Sequence, residues 1–164
     1  MKPLAVFNDN HFEPVDYVDR PTVKAVILNN KDEVLLFSGR LPGGGVERGE
    51  TGEVALAREC MEEIGATLHI DIEEMLGTVI QYRDLPKLKY IVHGYLYSLA
   101  SAAVPTTTLE NEIGKIAVWE NVLMQLRVSK AKSRPFAQTE KIFIKMKASA
   151  IKPASSIAKP QSYF

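Results

Sequence analysis

Apolar and polar positions fall along the chain in segments whose period separates strands from helices. Leu4-Ala5-Val6-Phe7 and His11-Phe12 flank the turn-prone Asn8-Asp9-Asn10 and predict a short N-terminal β-hairpin within residues 1–20, limited by Pro14. The β-branched run Thr22-Val23-Lys24-Ala25-Val26-Ile27-Leu28 and the run Glu33-Val34-Leu35-Leu36-Phe37 flank Asn29-Asn30-Lys31-Asp32 and predict a second hairpin. Pro42 and Gly43-Gly44-Gly45 break the pattern. The period then changes to that of a helix from Thr51 or Gly52 to Ile64, with Thr51 as N-cap, Glu53 in the first turn and Gly65 at the C′ position. Val54, Met61 and Ile64, at spacings of seven and three, predict its apolar stripe.

Farther along, strands are expected over about Met75–Tyr82 and Lys87–Leu99, joined by the turn Asp84-Leu85-Pro86. Ser101–Thr108 reads as a loop, Ile116–Trp119 as a strand, Asn121–Arg127 as a short capped helix and Thr139–Ala150 as the last helix. Strands and helices in this mixed order, without regular βαβ alternation, predict an α/β (α+β) fold with a mixed sheet flanked by helices. No repeat or linker divides the 164 residues, so one domain over 1–150 is expected, followed by a flexible basic tail over 151–164.

Composition narrows the class. With 46% hydrophobic and 24% charged residues the chain is globular rather than disordered. Its one cysteine, Cys60, excludes an internal disulfide framework; beside the predicted stripe it reads as a small core residue. No apolar run approaches the ~18 residues of a membrane span, and Leu4–Phe7 is too short for a signal-peptide core, so a cytoplasmic, membrane-free protein is expected. The zero net charge is a balance of −7 over residues 1–129 (12 Lys and Arg, 19 Asp and Glu) and +7 over residues 130–164 (eight and one). The basic residues lack the density and interleaved aromatics of a nucleic-acid surface, so no nucleic-acid partner is expected.

Chemistry concentrates between Gly44 and Gly65. Glu59, Glu62 and Glu63 stand at i, i+3 and i+4, three carboxylates on one helical face. Their repulsion is relieved either by water and salt or by a hard divalent cation. Arg58 lies about 100° around the helix from Glu59 and is poorly aimed to neutralise all three. The glycine-rich loop upstream offers backbone that approaches a ligand closely. Oxygen ligands from a helix and a loop carbonyl suit magnesium, or manganese in its place. His11, His69 and His93 are isolated, and no nucleophile triad is visible.

The spacing of these residues resembles the signature of the Nudix (MutT-related) hydrolases: Gly, five residues, Glu, seven residues, Arg-Glu, an apolar residue, any residue, Glu-Glu, any residue, Gly, an apolar residue. Gly44, Glu50, Arg58, Glu59, Glu62, Glu63 and Gly65 fill all seven fixed positions, a chance match of about one in 10⁹ at a given start. Cys60 and Ala66 are smaller than usual at the apolar positions. The resemblance implies an α/β/α sandwich and metal-dependent hydrolysis of a phosphoanhydride. It implies that Glu59, Glu62 and Glu63 hold divalent metal, one of them acting as base toward water, with the Gly43 carbonyl as loop ligand. Glu50 and Arg58 are expected to pair and support the loop. A further catalytic acid expected ahead of the last strand matches Glu112, with Glu110 second.

The same resemblance implies a small nucleotide partner: a nucleoside triphosphate, an oxidised nucleotide or a dinucleoside polyphosphate. Arg40, Tyr82 and Arg83 are the weak substrate-binding candidates, with Phe37, Tyr90, Lys87 and Lys89 as further ring and cation candidates. Tyr82, 16 residues after Ala66, is similar to a mark of the dinucleoside polyphosphate branch. Two alternatives stand beside this: an inactive nucleotide-binding regulator that keeps the fold, and an RNA 5′-end pyrophosphohydrolase. Many members of the family dimerise, so a homodimer is compatible with the resemblance.

Overall fold

The run from Thr22 to Ile27 is buried at every position, so it needs cover on both faces and becomes a central strand. In the computed structural model, which describes residues 2–8, 16–29, 31–65, 74–83, 87–98, 117–122 and 135–148, this run lies within β2 (Val18–Leu28). Around it stand β1 (Ala5–Asn8), β3 (Glu33–Phe37), β4 (Glu74–Arg83), β5 (Leu88–Ser98) and β6 (Ala117–Asn121), with helices α1 (Gly52–Ile64) and α2 (Pro135–Ala148). The six strands form one sheet in the order β1-β4-β5-β2-β3-β6. It is mixed: β1–β4 and β5–β2 are parallel, while β4–β5, β2–β3 and β3–β6 are antiparallel.

Alternation along β2 assigns the two faces. Val23, Ala25 and Ile27 point to one core, with Leu56, Cys60 and Ile64 of α1. Val26 points to the other, with Val79, Val92 and Phe143 and Ile144 of α2. Each buried aliphatic or aromatic side chain in these layers contributes roughly 1.5–3 kcal/mol. Gly94 on β5 brings α2 close: a Cβ there would lie 2.5–2.7 Å from the Phe143 ring. The mixed sheet between two helices is the α/β/α arrangement that the resemblance implied.

Several local expectations are revised. The buried face of α1 is Ala55, Leu56, Cys60 and Ile64, whereas Val54 and Met61 are 54% and 40% exposed. Leu56, Cys60 and Ile64 repeat at i, i+4 and i+8, and the small Cys60 belongs to the stripe itself. The α1 caps are as the sequence reads: Thr51 Oγ1 accepts the Val54 N–H at 3.3 Å, and Gly65 closes the helix at φ +62°. Asn121 is the last residue of β6, opposite Glu33, and Val122 after it is helical; the rest of the expected helix to Arg127 lies outside the described residues. Helix α2 starts at Pro135, four residues early, because proline suits a first helical turn. β1 is an edge strand joined to β4; the other arm of the expected hairpin, residues 11–12, lies outside the described residues, as does the 151–164 tail. Among the described residues no helix is long and apolar enough to cross a membrane.

Candidate metal and substrate site

The glycine loop is built along the edge of β2. Beyond the Ser38-Gly39 turn the chain runs beside that strand, where Ala25 N–H donates to Pro42 O (2.9 Å), Val23 N–H to Gly44 O (2.9 Å) and Val46 N–H to Pro21 O (3.0 Å). Gly43 sits at φ +124°, and a Cβ on it would press on the Val23 carbonyl oxygen, with the carbonyl carbon at 3.0 Å and Lys24 Cα at 3.1 Å. Only glycine fits this close approach.

Helix α1 then brings its acids to the loop. Glu63 Oε2 accepts the Gly43 N–H at 2.8 Å. The Glu59 carboxylate lies over Gly44 in the space a Cβ would fill. Arg58 joins loop and helix: Nε and Nη2 donate to the two Glu50 oxygens (2.9 and 3.0 Å), Nη2 to Gly45 O (3.0 Å), and Nη1 to Glu59 (2.9 Å) and Glu62 (3.5 Å). Although poorly aimed along the helix, its long guanidinium fork reaches two of the three acids. Glu50 Oε2 also accepts the Glu47 N–H at 2.8 Å. These bonds, the Arg58 one first, hold the Glu50 carboxyl down at about 2.

Glu59, Glu62, Glu63 and the Gly43 carbonyl offer only hard oxygen donors, which fits a divalent cation such as magnesium or manganese. They are not drawn to one point: among the described residues no three His, Cys, Asp or Glu side chains are close enough to hold an ion together. Protein cations stand on the same oxygens instead. Arg58 covers Glu59 and Glu62, and Lys24 Nζ on β2 donates to Gly43 O at 2.6 Å and to Leu41 O at 2.8 Å.

Beside Glu59 opens a cavity of about 360 Å³ lined by Asp19, Arg20, Pro21, Gly45, Val46 and Glu47. Arg20 is spread over the Tyr90 ring of the neighbouring strand, 5.9 Å from its centroid. A cation and a ring beside a carboxylate suit an anionic ligand with a planar group.

The other expected residues are placed as follows. Arg40 closes the turn after β3 through backbone bonds with Phe37. Tyr82 meets Tyr17 edge-on at 5.2 Å, and Lys87 lies over the Tyr17 ring. Lys89 pairs with Asp19 at the cavity rim (3.0 Å). Neither Arg40, Tyr82 nor Arg83 is among the residues lining the cavity. Glu110 and Glu112 lie outside the described residues. Cys60 is fully buried, and burial followed by the charges of Glu63 and Glu59 pushes its thiol up to about 12, which makes it inert packing.

Three residues escaped the sequence reading: Arg20, Lys24 and Glu140. Lys24 carried a signal, a charge inside a β-branched run that must be buried on both faces. Glu140 of α2 is 7% exposed, and burial raises its carboxyl to about 7 against the opposing pull of Lys24, the Leu41 N–H and Arg40. Arg20 had no such signal; strand pairing alone puts it beside Tyr90.

The chain is similar to known proteins both in sequence and in fold. Residues 18–138 match the model of the NUDIX domain. RNA pyrophosphohydrolases of Psychrobacter cryohalolentis and Psychrobacter arcticus are each 36% identical over 77 residues, a match spanning 42% of this chain and 43% of theirs. The fold is similar to a NUDIX hydrolase from Nitrosomonas europaea (TM-score 0.62, 22% identity, 81% of this chain and 90% of that one). It is also similar to the MutT protein from Methanosarcina mazei (TM-score 0.59, 20% identity, 84% and 99%). With the seven signature residues on one loop and one helix, and a family match over most of its length, the chain belongs to the Nudix family.

Proposed function

We propose that this chain is a divalent-metal-dependent pyrophosphohydrolase that cleaves the phosphoanhydride of a nucleoside diphosphate derivative by attack of water. The observation that carries this reading is the juxtaposition of the oxygen donors of α1 and the glycine loop with a cavity holding both Glu59 and Arg20. Glu59, Glu62, Glu63 and the Gly43 carbonyl would hold the metal, magnesium or manganese, and Glu112 is the further acid from the segment ahead of β6. When bound, such ions polarise the diphosphate and lower the pKa of water.

The residues supply position and charge, which is most of what phosphoryl transfer requires. Arg58 and Glu50 fix the loop against α1. Arg20 neutralises substrate phosphate, with the Tyr90 ring behind it. Glu59, which lines the cavity, would accept the proton of the attacking water. The substrate classes are nucleoside triphosphates, their oxidised forms and dinucleoside polyphosphates. A second reading, removal of pyrophosphate from an RNA 5′ end, is favoured by the name of the Psychrobacter relatives.

Hydrolysis of a panel of these compounds by the purified chain, with magnesium, manganese or EDTA, tests both readings. Glu63→Gln is expected to lower turnover at least about 100-fold, more than the loss of an outer-shell partner brings. Unchanged turnover in that variant overturns the metal assignment. Cleavage of triphosphorylated RNA in preference to every mononucleotide selects the second reading.

A further inference from the structure

Among the described residues the buried charged side chains are Lys24 and Glu140, and both reach the loop from the α2 side. Two of the three Lys24 N–H donors are placed on the Leu41 and Gly43 carbonyls. Glu140 takes the Leu41 N–H, so the two side chains bracket one residue of the loop. The Glu140 Oε1 atom is buried with no hydrogen-bond partner. A carboxylate oxygen left bare in an interior that also holds an ammonium is a costly arrangement, and it calls for a state in which it is used.

The proposed metal reading, on which this inference rests, supplies that state. Gly43 O cannot serve an ammonium and a divalent ion together, because the two cations would stand a few ångströms apart in a poorly screened interior. The four-carbon lysine stem lets the ammonium swing without moving β2. We propose that Lys24 is a resident cation that holds the Gly43 carbonyl in place of the metal, and that metal loading transfers its ammonium to Glu140 Oε1. Lys24 and Glu140 are thus positioning residues: neither touches substrate, and together they set the metal affinity of the loop and tie it to α2.

The test is Mn²⁺ binding by the full chain, read by electron paramagnetic resonance of the free ion, together with ¹⁵N resonances of lysine side chains during a Mg²⁺ titration. Lys24→Met is expected to bind Mn²⁺ about tenfold more tightly, since no resident cation competes, and Glu140→Gln severalfold more weakly, since the displaced ammonium loses its acceptor. In the double variant the Glu140→Gln loss should vanish, a coupling that a merely structural role would not produce. In the unsubstituted chain the Lys24 Nζ resonance should move as Mg²⁺ saturates, a readout that needs no variant to fold.

Unchanged or weaker Mn²⁺ binding in Lys24→Met overturns the proposal. So does a Glu140→Gln loss that persists without Lys24, which would make Glu140 itself a ligand. A Lys24 resonance that stays put while the Gly43 amide shifts also overturns it. Failure of the unsubstituted chain to bind Mn²⁺ is a different result: it removes the metal reading, and this exchange falls with it.

Discussion

Charge grips the loop between β3 and α1 from two sides, and the two grips are built on opposite terms. On the α1 side Arg58 spreads a fork over Glu50, Glu59, Glu62 and Gly45 O. That cluster is partly open to solvent, with Arg58 25% exposed and Glu62 36%. On the α2 side a buried ammonium holds two carbonyls and a buried carboxylate keeps one oxygen bare. The open cluster satisfies its charges and lowers a carboxyl; the buried one leaves a charge short of partners and raises one. Satisfaction fixes a loop in one geometry, whereas an unspent acceptor leaves room for a second.

The largest effect should come from the loop glycines, which separate backbone fit from side-chain fit. In Gly43→Ala the new Cβ meets the backbone of β2 at a φ of +124°, and neither can yield. We expect a loss of about 2–4 kcal/mol, a fall in melting temperature of roughly 5–15 °C. In Gly44→Ala the atoms nearest the new Cβ are the end of the Glu59 side chain, which can swing aside. That variant should lose under about 1 kcal/mol but 10- to 100-fold in turnover, as Glu59 leaves its place. Equal melting temperatures for the two variants would remove the distinction between frame and functional group.

Acidity separates the clusters next. Burial chiefly holds the Glu140 proton, with Lys24, Arg40 and Glu63 as the charges felt there. The folded carboxyl, near 7, therefore lies above its unfolded value of 4.5, and stability is highest below 4.5 and falls as pH rises through 7. Glu140→Gln in EDTA should flatten that descent, by an amount on the order of 2–4 kcal/mol across the window. Glu50 has the opposite sign. Its carboxyl, held at about 2, contributes stability that is complete above 4.5 and is lost as pH falls toward 2. Denaturant unfolding between pH 2 and 8 checks both slopes, and a Glu140→Gln profile parallel to the unsubstituted one would show that its carboxylate is not penalised by burial.

The same contrast explains what could be read in advance. The α1 side is local in sequence: Gly44, Glu50, Arg58 and three acids lie within 20 residues, so spacing alone sets their geometry. Thr51, Glu53 and Gly65 mark the helix that carries them, and both hairpin runs, Thr22–Leu28 and Glu33–Phe37, follow from period and turn chemistry. The α2 side joins Lys24 to Glu140, 116 positions apart, and the cavity joins Arg20 to Tyr90 through parallel pairing of β2 with β5. A parallel pair has no turn to announce its register, so nothing in the chain declares these partners beforehand. The exposed Val54 and Met61 show the converse: apolar identity does not by itself mark the buried face, and the small Ala55 and Cys60 are the residues against the sheet.

The smallest effect is the most specific to the open grip. Arg58→Lys keeps the positive charge but replaces a planar fork by a single point, which cannot span Glu50, Gly45 O and Glu59 together. Losing one arm of a partly exposed network should cost about 1–2 kcal/mol at neutral pH and turnover by about tenfold, because the loop keeps its position but not its rigidity. The stability gap should then close between pH 4.5 and 2, where Glu50 takes up its proton and the fork has less to hold in either protein. A gap that stays constant through that window would move the weight of Arg58 from Glu50 to the Gly45 carbonyl, which does not titrate, and the open grip would then be a backbone clasp rather than a charge pair.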